Sequence, residues 1–214
     1  MDFIKKNIFD LKYKISKSEI QYNRPKNSVL LMAVSKTQSL ENIIEAFNAG
    51  QRDFGENYIQ ESIEKISKLK KLDIIWHYIG KIQSNKSKII ANNYDWVHSV
   101  DKISTLKKIN NYRCDSKNKI NICIQVNIDY EDSKSGIAPE EVEDFINDTI
   151  ELDKINIRGL MAIPMHQAER GKQYQTFMKI KNLFDELVNK GYKLDTLSIG
   201  MSSDYEAAIA AGSS

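Results

Sequence analysis

One lysine of this sequence stands where its amine could react. Residues 29–34 read VLLMAV, an apolar run of strand length, and Lys36 follows two positions later in the segment AVSKT. A lysine at the carboxyl end of a buried parallel strand can turn over the mouth of the fold, where partial desolvation makes its amine a nucleophile toward an aldehyde. On position alone, a lysine that simply leaves a strand for water is the more common case.

A second candidate segment lies near the end of the chain. Residues 198–204 read SIGMSSD, follow a short apolar run and precede a helical pattern. Small residues such as Gly200 and Ser202 leave backbone N–H groups accessible, and a helix N-terminus adds positive potential, so this loop could bind a phosphate. It could also be a plain helix cap, because Ser203 and Glu206 have the spacing of a capping box.

The remaining candidates are weaker. Asn57 follows the second predicted strand within FGENY, so its amide could reach the same site. His77 could be a ligand, although a hydrogen-bonded core histidine is more frequent. Residues 132–136 (DSKSG) could form a polar rim or an ordinary turn. His98 and His166 are isolated in the sequence, and no spacing of His, Asp and Glu is typical of a metal site.

Apolar runs and helical patterns alternate along the whole chain. Helical signals include the Ser39 N-cap with Gly50 closing the next helix, and the apolar stripe of residues 174–188. Alternation of this kind predicts parallel strands joined by crossover helices, as in a doubly wound sheet or a (β/α) barrel. No G-x-G-x-x-G motif follows the first run, which weakens the doubly wound alternative. The predicted strands are 29–34, 52–54, 74–79, 96–100, 120–128, 155–163 and 194–199.

A barrel would bring the two main candidates together. Its reactive groups lie after the strands, at one end, and strands one and seven are near neighbours around the ring. A lysine beside an anion-binding loop suggests an aldehyde that carries a phosphate. We expect one domain over residues 1–214 that lacks the eighth strand, because the chain stops where that strand should begin, after Gly212. The opening helix around residues 3–15 is the nearest candidate to cover the resulting edge.

The composition limits the possible classes of protein. With 41% hydrophobic and 28% charged residues among 214, it is ordinary for a globular chain. The 31 basic and 29 acidic residues nearly cancel, so no overall field favours nucleic acid or an anionic membrane. The two cysteines, Cys114 and Cys123, form no disulfide or metal pattern, and no signal peptide or membrane-length apolar run is seen. These features favour a cytoplasmic protein.

Six segments in order along the chain together resemble the pyridoxal phosphate homeostasis protein family. They are AVSKT at 33–37, FGENYIQE at 54–61, WHYIGKIQSNK at 76–86, SKSGI at 133–137, RGLMAIP at 158–164 and LSIGMSSDYEAAIAAGS at 197–213. The resemblance implies an alanine racemase N-terminal-type barrel and pyridoxal 5′-phosphate (PLP) held covalently on Lys36 as a Schiff base. It also implies ring-side contacts near Asn57, phosphate contacts from the region of Gly200, Met201, Ser202 and Ser203, and a contact to the cofactor from Ser198.

The family's members are regarded as carriers or regulators of the cofactor, with PLP-dependent apoenzymes as possible partners. They lack the second, β-rich domain of the racemases, so the resemblance implies a monomer without turnover. This sequence departs from the family pattern in two ways. The family usually continues into an eighth strand of the type V-R-I-G, whose arginine would face the pyridine nitrogen. Gln38 also stands where a second lysine often follows Lys36.

Two further interpretations remain open. The chain could be a PLP-dependent enzyme such as an amino-acid racemase. Racemisation needs a base on each face of the substrate Cα, and the sequence offers Lys36 without an evident second base. The chain could also be a remnant with little function, which only the missing eighth strand supports.

Overall fold

The computed structural model describes residues 3–131, 134–165 and 167–214 as one α/β unit of eight helices and seven strands, with two short 3-10 turns. The strands are β1 (Ala33–Val34), β2 (Asp53–Glu56), β3 (Ile75–Tyr78), β4 (Trp96–Val100), β5 (Ile120–Gln125), β6 (Ile155–Met161) and β7 (Thr196–Ser198). The helices are α1 (Phe3–Gln21), α2 (Leu40–Asn48), α3 (Ile59–Leu69), α4 (Ser87–Asn93), α5 (Ile103–Tyr112), α6 (Val142–Asn147), α7 (Arg170–Asn189) and α8 (Tyr205–Ala211).

The seven strands form one parallel sheet in chain order, β1 to β7. The sheet curls, since His98 on β4 reaches the hydroxyl of Ser198 on β7 at 2.8 Å across its concave side. Among the described residues β1 and β7 do not pair with each other, so the barrel is open. The predicted (β/α) barrel with seven strands is confirmed.

The first strand is shorter than its apolar run predicts. Only Ala33 and Val34 pair with β2. The backbone groups of the preceding residues form hydrogen bonds with side chains instead. The Glu19 carboxylate accepts from the amide of Val29 at 3.0 Å, and the Gln51 side chain donates to the carbonyl of Leu31 at 2.6 Å. An edge strand with one neighbour leaves such groups free for other partners. Residues 29–32 are therefore extended chain outside the sheet.

The hydrophobic core lies between the sheet and its outer helices. On β5 the alternate residues Ile120, Ile122 and Ile124 are fully buried and belong to this core. Burial of such side chains stabilises the fold by about 1.5–3 kcal/mol each. The intervening residues face the concave side, which leaves that side free for polar groups. Helix residues that complete the core include Ile43, Ile90, Leu106, Ile109 and Ile180.

Helix α1 packs against both α2 and α8, the helices that follow the two outermost strands. Just after it, the Arg24 guanidinium donates to the carbonyl of Ile209 at 3.0 Å and to that of Ser213 at 2.8 Å. At the other end of α1 the amide of Ile4 donates to the Glu45 carboxylate at 3.1 Å. The opening helix thus joins the two sides of the open sheet, as its position in the sequence predicts.

The predicted limits of α2 are confirmed: Ser39 is its N-cap, and Gly50 follows it with φ +88°. No helix within the described ranges is long and apolar enough to cross a membrane.

Candidate functional site

Lys36 lies two residues beyond β1, on the loop that leads to α2. The loop turns sharply here: the amide of Gln38 donates to the carbonyl of Ser35 at 3.1 Å, and Thr37 adopts a left-handed backbone with φ +64°. The Lys36 side chain is exposed. The partial desolvation expected for it is therefore not seen in this structure, and its amine is accessible.

A buried ion cluster fixes the backbone on both sides of Lys36. The ammonium of Lys65, from α3, donates to the carbonyl of Ser35 at 2.7 Å. It also contacts the carboxylates of Glu56, at 2.9 Å, and of Glu61. Those carboxylates in turn hold the Lys36 loop, since Glu56 accepts from the Ser35 hydroxyl and Glu61 accepts from the amide of Thr37, each at 2.7 Å.

Two members of the cluster formed by Glu56, Glu61 and Lys65 are closed to water, while the Glu61 side chain is partly exposed. The Lys65 side chain is 7% exposed and that of Glu56 is fully buried. The hydrogen bond from Lys65, with a smaller contribution from the Thr37 amide, lowers the pKa of Glu61. One carboxylate oxygen of Glu56, Oε2, has no partner among the described residues. Removing one member of such a buried pair leaves an uncompensated charge, so the cluster holds the loop rigidly.

The loop after β7 differs from its predicted form. The predicted capping box of Ser203 and Glu206 is wrong, because the N-cap of α8 is Asp204. Its carboxylate accepts from the amide of Met201 at 2.6 Å, while Glu206 forms an ion pair with Arg170 at 3.0 Å. Aspartate one residue further along is the better acceptor for the turning loop, since its charge strengthens the bond.

Between Gly200 and Ser203, three backbone N–H groups have no hydrogen-bond partner in the described chain: those of Gly200, Ser202 and Ser203. The N–H of Met201 is taken by Asp204, so the predicted contribution of Met201 can come only from its exposed side chain. Successive free N–H groups in a turn form a concave surface that suits an anion. The Ser202 and Ser203 side chains are exposed beside them.

Gly200 is required by the shape of this loop. Its φ is +95°, and a Cβ added there would lie 2.6 Å from the Cβ of Ala208 on α8. Any other residue would strain the backbone and push the loop off the helix.

Asn57 follows β2 at the level where Lys36 follows β1, because Val34 pairs with Gly55 in the parallel register. Its side-chain oxygen Oδ1 is buried without a hydrogen-bond partner among the described residues. Its backbone touches Gly80 so closely that a Cβ on Gly80 would lie 2.2 Å from the Asn57 carbonyl oxygen. Asn57 also lines a cleft of about 320 Å³ that includes Lys81 and Lys86. A buried acceptor without a partner is uncommon in folded proteins, which makes Asn57 a candidate for a ligand contact.

Lys36, Asn57 and the loop 198–203 thus follow three strands of one parallel sheet and lie at its carboxyl end. This is the end at which (β/α) barrels carry their functional residues. The fold therefore brings together an accessible amine, an unpartnered amide oxygen and a group of free backbone N–H donors.

Below this end, the two histidines within the described chain lie in the barrel interior. His77 contacts Asp53 at 3.1 Å and His98 at 2.9 Å, and His98 contacts the Ser198 hydroxyl. Burial, with a smaller contribution from His77, lowers the pKa of His98 to about 3. His77 is thus a hydrogen-bonded interior histidine, and the expectation that His98 is isolated is wrong.

The segment 132–136 is described only in part, since Asp132 and Ser133, like His166, lie outside the described residues. Lys134 forms an ion pair with Glu131 at 2.5 Å. The carbonyl of Ser135 accepts from the Gln125 side chain at 3.2 Å. Over residues 3–131, 134–165 and 167–214, no group of His, Cys, Asp and Glu side chains could hold a metal ion.

The cluster around Lys36 is not predicted by the sequence. Glu61 and Lys65 have the i, i+4 spacing of a helical ion pair, and Glu56 lies in the FGENY segment. The spacing alone predicts an exposed pair, because nothing in it indicates that α3 presents both side chains to the end of β1.

The chain is similar to a known protein family, to curated relatives and to solved structures. The family described as "Alanine racemase, N-terminal domain" matches residues 18–213. The pyridoxal phosphate homeostasis protein of Escherichia coli K12 is 40% identical over 216 residues, covering 100% of this chain and 92% of that protein.

A second relative is the pyridoxal phosphate homeostasis protein of Pseudomonas aeruginosa, which is 43% identical over 212 residues, covering 99% of this chain and 91% of that protein. PipY of Synechococcus elongatus, solved with PLP bound, superposes with a TM-score of 0.80 at 32% identity, covering 94% of this chain and 95% of that one. With this similarity over nearly its whole length, the chain belongs to the pyridoxal phosphate homeostasis protein family, within the alanine racemase N-terminal domain group.

Proposed function

We propose that this chain binds PLP at the carboxyl end of its open barrel and takes part in PLP homeostasis. The main support is the placement of Lys36, whose exposed amine is carried on a loop fixed from both sides by the buried Lys65 cluster. The names of the relatives and the PLP bound in PipY support the identity of the ligand.

The residues present fit the chemical groups of PLP. The aldehyde would meet the amine of Lys36, which would form a C=N bond to the aldehyde carbon with loss of one water. The phosphate would accept from the free N–H groups of Gly200, Ser202 and Ser203 and from the Ser202 hydroxyl. Asn57 would contribute its unpartnered side chain on the ring side. The bound cofactor would supply an electrophilic imine, which the protein holds in place.

We further propose that the chain holds PLP without turning over amino acids. The carboxylates beside Lys36, those of Glu56 and Glu61, are already bonded to Lys65. On this proposal neither carboxylate serves as the second base that racemisation requires opposite the lysine, although Oε2 of Glu56 has no partner of its own among the described residues. On this proposal the protein acts in the cytoplasm as a monomer that buffers PLP or passes it to PLP-dependent apoenzymes.

The binding proposal is tested by titrating the purified protein with PLP and following the absorbance change from free aldehyde to imine. Borohydride reduction and mass spectrometry of the peptide containing residues 33–37 should then show one reduced adduct. An absorbance spectrum that remains that of free PLP, with no adduct on any lysine, would contradict the proposal.

The absence of turnover is tested separately. PLP-loaded protein is incubated with L-alanine and with a panel of other L-amino acids, and the products are separated on a chiral column. The proposal expects each amino acid to remain in its L form. Accumulation of a D-amino acid that depends on Lys36 would establish the racemase alternative instead.

A further inference from the structure

A continuous row of four polar side chains crosses the barrel interior. It runs from the Asp53 carboxylate on β2 to His77 on β3 (3.1 Å), to His98 on β4 (2.9 Å) and to the Ser198 hydroxyl on β7 (2.8 Å). His77 and His98 are 3% and 5% exposed. The row begins at Asp53, the first residue of β2, and ends at Ser198, the last residue of β7, directly before the loop that carries the free N–H groups.

When both imidazoles are neutral, the protons of this row can point in only one direction. The Asp53 carboxylate can only accept, so the Nε2 of His77 carries its hydrogen and its Nδ1 is an acceptor. His98 must then donate from Nε2 to His77 and accept at Nδ1. The Ser198 hydroxyl therefore donates inward to His98, and only its lone pairs remain for a ligand.

One additional proton on His77 reverses the row. A doubly protonated His77 donates from Nδ1 to His98, which shifts the single hydrogen of His98 to Nδ1. His98 then donates to the Ser198 oxygen, and the Ser198 hydroxyl hydrogen is free to point toward the loop. The imidazolium is stabilised by Asp53 on its other side. The low pKa of His98, about 3, keeps the extra proton off that ring.

We propose that His77 and His98 are positioning residues that couple phosphate binding at Ser198 to the uptake of one proton. A phosphate monoester is a dianion above about pH 6 and offers acceptors only. In the neutral row Ser198 faces such a dianion with lone pairs, whereas in the protonated row it donates to it. The proposal rests on the proposed function, because it takes the phosphate of PLP to lie at the loop 198–203.

The other ionisable groups of the interior do not substitute for His77. Trp96 stacks on His77 with ring centroids 5.6 Å apart, and the Arg158 guanidinium lies 4.8 Å from the Trp96 ring. Arg158 is engaged by Asp195 in a bidentate pair at 2.7–3.1 Å. Burial raises the pKa of the Cys123 thiol on β5, so it stays neutral. Asp53 and His98 are the titratable groups in direct contact with His77 in the described chain.

The first test reads the proton positions without any ligand. Two-bond ¹⁵N–¹H spectra of the histidine side chains, assigned with single-histidine variants, report the tautomer of each ring at pH 7.5. The proposal expects hydrogen on Nε2 in both His77 and His98. Hydrogen on Nδ1 of His98 in the free protein would overturn it, because the row would then already be reversed.

The second test counts protons on binding. Pyridoxine 5′-phosphate carries the same phosphate but an alcohol in place of the aldehyde, so it forms no imine with lysine. Calorimetry at pH 7.5 in two buffers of different ionisation enthalpy should show uptake approaching about one proton per bound molecule. Ser198→Ala should bind more weakly and take up none.

Ser202→Ala is the matched control, because it removes a hydroxyl from the same loop that has no bond to His98. It should weaken binding and keep the proton uptake. Two results would contradict the coupling and leave the phosphate site intact. One is binding of the probe by the wild type without proton uptake, and the other is equal proton uptake in Ser198→Ala. If the wild-type protein did not bind the probe at all, the phosphate site itself would be wrong and the coupling with it, while the tautomers would still be known from the first test.

Discussion

The ammonium of Lys65 lies 2.7 Å from the carbonyl oxygen of Ser35, the residue that precedes Lys36. The two lysines thus sit side by side in the fold with opposite surroundings. Lys65 is buried between two carboxylates, whereas Lys36 is exposed. The Lys65 amine is engaged by the Ser35 carbonyl and by both carboxylates, so of the two lysines we expect the accessible Lys36 to react.

Lys36→Ala should abolish the borohydride-trapped PLP adduct. The far-UV circular dichroism should stay nearly unchanged, because the side chain is exposed and makes no hydrogen bond in the described structure. Lys134→Ala is the matched control, since Lys134 also follows a strand of the sheet, β5, and is paired with Glu131. Equal trapping in Lys36→Ala, lost only when Lys134 is also replaced, would move the covalent linkage to Lys134.

Lys65→Met should destabilise the protein by about 3–5 kcal/mol, because it leaves buried carboxylate charge without a partner. The double variant Lys65→Met/Glu56→Gln should recover part of that loss. Lys6 pairs with Asp10 on the exposed face of α1. The variant Lys6→Met should therefore lower the free energy of unfolding by less than about 1 kcal/mol. Urea unfolding curves measure all three.

Lys65→Met should also slow formation of the PLP adduct on Lys36, because the loop loses its bond at Ser35. Stopped-flow absorbance would measure the rate at a temperature where the variant is fully folded. A rate equal to that of the wild type would show that the cluster stabilises the fold without positioning Lys36.

Ser202→Ala should weaken PLP binding about tenfold or more, since a hydrogen bond to a charged phosphate contributes roughly 1.5–3 kcal/mol. Gly200→Val should weaken it further, because φ is +95° and the added atoms would collide with Ala208. Equilibrium titration with PLP gives both affinities. If both variants bound PLP as tightly as the wild type, the phosphate would lie elsewhere.

Acid should destabilise the protein through His98. The pKa of this buried ring is lowered to about 3, against an unfolded value near 6.5. Between these values the unfolded chain binds a proton that the folded chain does not. Its contribution to stability is therefore complete above about pH 6.5 and is lost as pH falls toward 3, at up to about 1.4 kcal/mol per pH unit.

This pH dependence is best measured by urea unfolding between pH 7 and pH 5, where the carboxylates stay ionised. His98→Gln should show a shallower slope over that range. A slope as steep as that of the wild type would assign the effect to another group.

The periodicity of apolar residues predicted the number and order of the strands well, but it predicted the limits of individual elements poorly. The alternation of residues 120–128 predicted β5, which ends at Gln125, because one face of that strand packs on the hydrophobic core and the other faces the concave side. The run at 29–34 predicted too long a first strand, since hydrophobicity does not report that Glu19 and Gln51 bind its backbone. Spacing also gave the wrong cap for α8, where Ser203 and Asp204 are both good candidates and only the turn geometry selects between them.

The sequence indicated the individual residues of the candidate site but not the contacts between them. Lys36, Asn57 and the loop 198–203 could be chosen because each follows an apolar run, and parallel strands end together. The partners of these residues could not be chosen in the same way. His98 and Ser198 are 100 residues apart, and Lys65 and Ser35 are 30 apart on different elements. Such contacts depend on the curvature of the sheet and the rotation of a helix, neither of which local spacing records.

The bond between Arg24 and the carbonyl of Ile209 joins residues 185 positions apart in the chain. A contact of such sequence separation carries a high entropic cost of loop closure and forms late in folding. During synthesis α1 is made well before α8, so its contact with α8 must wait until α8 is available. Its contact with α2, through Ile4 and Glu45, spans only 41 residues and can form early. On these separations the contact of α1 with α2 can form well before its contact with α8, so α1 joins the two sides of the open sheet only once α8 is in place.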